Sequence, residues 1–212
     1  QGEVLMTPIQ LANMMATVAN EGYYYTLKKK KKIAGTTIDK KFTTKHVTTI
    51  DKSHFKPIIS GLFDVYNMGT AAGLRVEGID ICGKTGTAEN FAKINGVRTQ
   101  LEDHSIFVAF APKDNPKIAI AIMIENGGFG STIAGPIASL MIEKYLKKKI
   151  TRTDLETRIL NTSLQGQYAK LGGLNEDVKR ELRIKDSIAQ LKLKKQNPTP
   201  TAVVKKDSTK KN

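Results

Sequence analysis

Residues 78–87 read GIDICGKTGT, a stretch that fits two incompatible chemistries. Gly78 through Thr85 satisfy G-x-x-x-x-G-K-[ST], the phosphate loop of nucleotide-binding proteins, while Lys84-Thr85-Gly86 satisfy K-T-G, a triplet of enzymes that acylate a serine. The first requires a buried strand before Gly78 and a helix beginning at Lys84-Thr85, whose amides would hold phosphate. The second requires the triplet to lie on a strand at the edge of an antiparallel sheet. The flanks favour the strand. Arg75-Val76-Glu77 is polar, Ile79-Asp80-Ile81 alternates like a strand, and Gly86 followed by Thr-Ala-Glu-Asn is a poor helix start.

Working outward, Ser105–Ala111 (SIFVAFA) and Lys117–Glu125 (KIAIAIMIE) also have strand character, as does Gly78–Glu89 as a whole. The loop Pro112-Lys113-Asp114-Asn115-Pro116 is short, so the strands it joins are expected to pair antiparallel. A turn is expected at Asn95-Gly96 and another across Gly127-Gly128-Phe129-Gly130. Helices are predicted on either side of this block. The first begins at Thr7-Pro8, carries Leu11, Met14, Met15 and Val18 at helical spacing, and ends at Asn20-Glu21-Gly22. The second begins near Ser53, read as its N-cap, has an apolar stripe of Phe55, Ile58, Ile59, Leu62, Phe63 and Tyr66, and ends before Gly69. The third spans about Pro136–Lys147, with Ile137, Leu140, Met141 and Tyr145 as its apolar face and lysines where they suit the helix dipole. Between the first two helices, YYYTLKKKKKIAGTTIDKKF reads as a solvated hairpin around Ala34-Gly35, its lysines a charged edge. This order predicts an α+β fold, an antiparallel sheet packed against helices.

Composition limits the function. The net charge of +14 suggests a nucleic-acid protein until it is divided along the chain. Residues 1–146 carry 17 basic and 13 acidic side chains, whereas residues 147–212 carry 17 and 7, so the basicity belongs to the tail and no nucleic-acid partner is expected. Cys82 is the only cysteine, which excludes an internal disulfide and a cysteine-rich zinc site; neither a metal nor a cofactor is expected. The longest aliphatic run, Ile118–Ile124, is far shorter than the ~20 residues of a membrane-spanning helix. The N-terminus lacks an initiator methionine and a signal pattern, and the sequence reads as a fragment with an upstream part missing. Beyond Lys149, Leu155, Ile159 and Leu160 recur at helical spacing, a further helix is expected within NEDVKRELRIKDSIAQLKL, and the last stretch from KKQNPTP onward is expected to be disordered.

Four separated motifs in order, QGEVLMTPIQLANMMATVANEGYYY, GKTGTAE, DHSIFVAFAP and ENGGFGSTIAGPIA, resemble the penicillin-binding protein 2 family, class B peptidoglycan D,D-transpeptidases. The resemblance covers residues 1–149 and implies the C-terminal half of a transpeptidase domain, with residues 150–212 a basic, partly helical tail. In such enzymes a serine attacks the penultimate D-Ala carbonyl of a stem peptide, D-Ala leaves, and an amine of a neighbouring strand resolves the acyl-enzyme. The resemblance implies that Lys84 supplies charge and a link in the proton relay, that Thr85 and Thr87 bond the terminal carboxylate, and that Gly86 lets the peptide lie against the strand. It makes the Thr87 amide one of two oxyanion donors; losing one such donor costs on the order of 3 kcal/mol in the barrier. It further implies stem peptides and β-lactams as ligands, elongation-machinery membrane proteins as partners, and a location at the periplasmic face of the bacterial inner membrane, anchored by a segment outside this sequence.

Two S-x-x-K strings occur, Ser53-His54-Phe55-Lys56 and Ser208-Thr209-Lys210-Lys211, and no S-x-N is present. Ser53 lies too close to Lys84 to be the family nucleophile, and the tail copy is low-complexity sequence. The chain is therefore expected to carry the K-T-G strand without the serine and to be inactive by itself. A non-catalytic wall-binding module of the same fold is the alternative, and a segment with neither upstream motif would favour it. His104 beside Asp103 is expected to fix the start of a strand, Cys82 to be a small buried apolar residue, and Glu125-Asn126 to line the far end of the cleft.

Overall fold

The computed structural model describes residues 4–28, 38–94, 96–169 and the single positions 180, 183, 184 and 187. The elements run α1 (Pro8–Ala19), β1 (Tyr23–Tyr25), β2 (Lys45–Val47), α2 (Phe55–Asn67), β3 (Cys82–Ala88), β4 (Phe91–Ile94), β5 (Val97–Gln100), β6 (His104–Ala111), β7 (Ile118–Ile124), α3 (Ala134–Lys147), α4 (Thr153–Leu160) and α5 (Gln165–Ala169). All strand pairs are antiparallel: β1 with β2, β4 with β5, and a central sheet in the order β3-β6-β7. The fold is α+β, as the sequence predicts.

β6 organises the core because both its edges are paired and both its faces are covered. Successive side chains on a strand point to opposite faces. Phe107, Ala109 and Ala111 therefore share one face with Ala134, Ala138 and Ile142 of α3, and with Tyr66, Leu74 and Ile81. Phe110 turns to the other face, where it meets Met15 of α1, Cys82, and Ile59, Leu62 and Phe63 of α2. Phe107 and Phe110 are fully buried, a contribution of about 1.5–3 kcal/mol each. Tyr66 reaches the first face from the end of α2, edge-on to Phe107 at 5.8 Å between ring centroids. Consequently α2 supplies side chains to both clusters and fixes its last turn beside β3.

The helix boundaries have local causes. Pro8 opens α1, and Gln10 Oε1 accepts from both the Thr7 amide and the Thr7 hydroxyl. At α2 the capping role read for Ser53 belongs instead to Asp51. Its carboxylate accepts from the Ser53 amide (2.8 Å) and hydroxyl (2.5 Å), which winds a 3-10 turn over Lys52–His54 ahead of the helix. Ile58, placed on the apolar stripe by spacing, is exposed, and Val65 packs against the core in its stead. β3 begins four residues later than Gly78: Val76 bridges Ile79 around Gly78 at φ +70°, a tight reversal that delays sheet pairing until Cys82. The stretch between β3 and β6 is a second ribbon, β4–β5, closing at the turn the sequence marks near Gly96. β1 pairs with β2 at residues 45–47, while the expected hairpin tip at Ala34-Gly35 lies outside the described residues.

α3 buries only part of the face its large side chains mark: Leu140 is buried as that face predicts, but the packed stripe continues through the small residues. Ala134, Ala138, Ser139, Ile142 and Glu143 are buried, whereas Met141 and Tyr145 are half exposed. Small residues let the helix backbone approach the sheet, and the larger ones line an apolar groove of about 420 Å³ between α3 and α4, with Ile150 and Ile159 on its other side. Glu143 is 0% exposed, and its carboxylate accepts from the Thr151 amide (3.1 Å), the Thr151 hydroxyl and Arg152 Nε (3.0 Å). Arg152 Nη1 continues to the Leu74 carbonyl at 3.2 Å, which also accepts from Ser139 Oγ at 2.6 Å. This network ties the chain after α3 to the 3-10 turn Ala72–Leu74. Burial by itself would raise the Glu143 carboxyl, but the bonds from Thr151 and Arg152 outweigh it and hold it below the ordinary glutamate value. α4 forms over Leu155 and Ile159 as their spacing predicts, although Leu160 is exposed; the helix expected within 175–193 falls almost wholly outside the described residues.

Candidate functional site

Lys84-Thr85-Gly86-Thr87 lies in the middle of β3, at the edge of the central sheet. Its register with β6 runs unbroken from Cys82↔Phe110 to Ala88↔His104, so no bulge interrupts it. The alternation of faces therefore runs through Gly86 without a break. Cross-strand partners share a face: Thr85 and Thr87, opposite Phe107 and Ser105, stand on the α3 side, and Lys84 and Gly86, opposite Val108 and Ile106, on the α1 side. Exposure begins at Lys84. Cys82 and Gly83 are buried, Lys84 is exposed, and Thr85–Ala88 are half-buried. Among the described residues no strand pairs the outer edge of β3, which leaves that edge open to an added strand once Lys84 Nζ releases the Thr85 carbonyl. No helix starts at Lys84-Thr85, which removes the phosphate-loop reading.

Around this edge, Lys84 Nζ donates to the Thr85 carbonyl at 2.9 Å, and the Thr85 hydroxyl lies 3.0 Å from Thr70 Oγ1. The loop Gly127–Gly130 is pressed onto the opposite end of the same segment. A Cβ at Gly130 would stand 2.3 Å from the Ile106 carbonyl and 2.6 Å from that of Gly86, so only glycine fits there. Ser105, fully buried and directly across from Thr87, holds the loop by donating to the Phe129 carbonyl (2.9 Å) and accepting from the Ala134 amide (3.3 Å). Phe129 itself is 71% exposed.

The remaining sequence candidates serve the scaffold. His104 opens β6, and its Nδ1 accepts from the Asn126 amide at 3.1 Å. Asn126 is buried and accepts from Asn90 Nδ2 at 2.6 Å, tying the β3–β4 connection to the end of β7. Cys82 is buried with its thiol directed at the Ile59 carbonyl (3.6 Å), and burial pushes the thiol up to about 12. Ser53 is exposed and bonded locally to Asp51. Among the described residues no three of His, Cys, Asp and Glu are grouped to hold a metal.

A family model for the penicillin binding protein transpeptidase domain matches residues 1–143. The chain belongs to this family. Peptidoglycan D,D-transpeptidase MrdA of Haemophilus influenzae is 28% identical over 167 residues, covering 73% of this chain and 26% of that protein. MrdA of Acinetobacter baumannii is 33% identical over 187 residues, covering 81% and 26%. Among solved structures, penicillin-binding protein A from M. tuberculosis, an imipenem acyl-enzyme complex, is 26% identical with a TM-score of 0.55, covering 69% of this chain and 32% of that one. The chain thus spans about a quarter of the length of the curated transpeptidases it matches. Sequence reasoning missed the places of Thr70, Ser105 and Gly130, which depend on contacts 15, 18 and 44 positions away, with Thr85, Thr87 and Gly86.

Proposed function

We propose that β3 is the peptide-docking strand of a serine-type peptidoglycan D,D-transpeptidase. The observation that carries the reading is the unpaired outer edge of Lys84–Thr87, half-exposed and extended, in a chain of the transpeptidase family. A stem peptide would add there as a further antiparallel strand. The Thr85 and Thr87 hydroxyls would donate to its terminal carboxylate, and the exposed Lys84 ammonium would attract that carboxylate and stabilise the protonation state of the relay. The Thr87 amide would face the developing oxyanion as the seryl oxygen attacks the penultimate carbonyl, the C–N bond breaks, and D-Ala departs with the serine's proton. β-Lactams would occupy the same edge, as the acyl-enzyme complexes of the M. tuberculosis relative suggest by likeness. We place the intact protein at the periplasmic face of the inner membrane, in company with elongation-machinery membrane proteins, on family resemblance.

Neither S-x-x-K string of this chain fits the nucleophile: Ser53 is engaged with Asp51, and Ser208 stands in a lysine-rich stretch. The chain alone is accordingly expected to form no covalent adduct with fluorescent penicillin. Docking is tested by titrating the 15N-labelled chain with N-acetyl-D-Ala-D-Ala. Amide shifts concentrated in Lys84–Thr87 are expected; a saturating titration that leaves those amides in place overturns the reading.

A further inference from the structure

We infer that Thr70 is a positioning residue for Thr85, presenting the Thr85 hydroxyl as a hydrogen-bond donor to an anionic group docked at the β3 edge. The inference rests on the docking reading just given and adds to it a residue that makes no direct bond to the ligand. Its basis is the 3.0 Å contact between the two hydroxyl oxygens.

Thr70 is held in place from both sides. The Met68 and Gly69 amides donate to the Asp64 carbonyl at 2.9 and 3.0 Å, closing the end of α2. Gly69 fits there because a Cβ would lie 2.8 Å from Val65 Cα. On the other side Ala71 is buried in the core, its amide donating to the Val65 carbonyl (3.0 Å) and its carbonyl accepting from the Leu74 amide (2.9 Å). The residue between these anchors has little backbone freedom. Yet Thr70 itself is exposed, so packing does not account for its side chain.

Proton counting gives the contact its direction. Each hydroxyl has one proton and two acceptor lone pairs. If Thr85 donates to Thr70, its only proton is spent and its oxygen offers lone pairs to the ligand, which a carboxylate cannot use. If Thr70 donates, the Thr85 proton is free for the carboxylate, and accepting one bond strengthens the bond Thr85 donates. An anion at the edge therefore selects the relay from Thr70 to Thr85 to ligand. The contact also restrains the Thr85 χ1 angle, so ordering of that side chain precedes binding.

The test uses the 212-residue chain and three versions of it: unsubstituted, Thr70→Val, which keeps the shape and removes the hydroxyl, and Thr70→Ser, which restores it. Each is titrated with N-acetyl-D-Ala-D-Ala and with the same dipeptide amidated at its C-terminus. The loss of one hydrogen bond predicts that Thr70→Val weakens the free-acid ligand about three- to tenfold. Thr70→Ser should recover most of this, the amidated ligand should be nearly indifferent, and thermal midpoints should stay close together. The three-bond coupling reporting Thr85 χ1 should show one rotamer in the unsubstituted and serine proteins and averaging in the valine variant. Equal affinity of the valine and unsubstituted proteins, a serine variant as weak as valine, or equal weakening of both ligands overturns the inference alone. An unsubstituted chain that binds neither ligand overturns the docking reading and the inference together.

Discussion

Truncating Glu143 to alanine removes the acceptor at the centre of the network joining α3 to residues 151–152 and the 3-10 turn at Leu74. Three bonds to a carboxylate are lost, and hydrogen bonds to charged groups are worth about 1.5–3 kcal/mol each, though not additively. Removing one partner of a buried pair costs about 3–5 kcal/mol. Arg152 retains the Leu74 carbonyl, and its side chain is 22% exposed, so part of its charge can be solvated and the lower end applies: about 3 kcal/mol for Glu143→Ala. Glu143→Gln keeps an oxygen for Thr151 but turns an amide toward Arg152 Nε, for about 1–2 kcal/mol. Urea unfolding measures both as shifts of midpoint at constant slope. The pH dependence gives the sign. With its folded value below the ordinary 4.5, Glu143 contributes fully above 4.5, and the contribution is lost as pH falls from there through the folded value, because the unfolded chain takes up the proton first. Asp39 and Asp51 are also held low, so the difference between native and Glu143→Gln curves isolates this group. An alanine cost below about 1 kcal/mol, or a glutamine as costly as alanine, would refute the reasoning.

Three further outcomes are expected. Gly130→Ala should cost about 1–3 kcal/mol by calorimetry and move the Gly86 and Thr87 amide resonances, since its Cβ meets backbone rather than a flexible side chain; unchanged amides would mean that the loop does not bear on the strand. Cys82 should resist a thiol reagent at pH 8 in native protein and react only on unfolding, in proportion to the open fraction. On α3, Ala138→Leu should cost about 1–3 kcal/mol, whereas Met141→Gln should cost under about 1, the reverse of what residue size suggests; a melt in the opposite order would show the buried face to be misassigned.

The parts of the fold that were legible in the sequence are those with local causes. α1 announces itself through Thr7-Pro8 and the spacing of Leu11, Met14, Met15 and Val18, and the β6–β7 pair through a connection too short for anything but an antiparallel return. The edge strand was readable because Gly86 and Thr87 spoil a helix start. What escaped depended on distance. Much of the packed face of α3 beyond Leu140 and Ile142 is alanine and serine, whose weak hydropathy says little beside Ile137, Met141 and Tyr145, and only the sheet decides which stripe lies inward. Ser53 has the chemistry of a cap, but Asp51 two residues earlier has it too, in carboxylate form. Gly78 looked like a strand residue because φ is not written in composition. Thr70 carries no motif; its meeting with Thr85 exists only once α2 has docked against β3.

The bare rim of β3 has a cost beyond ligand recognition. An edge that no strand of the described residues pairs is a template for any extended backbone, including a second copy of the same molecule. Lys84 is the one full charge on the strand, and its repulsion of another Lys84 is a guard against edge-to-edge self-pairing. Solubility should therefore decline when that lysine is neutralised, even though nothing in the core has changed.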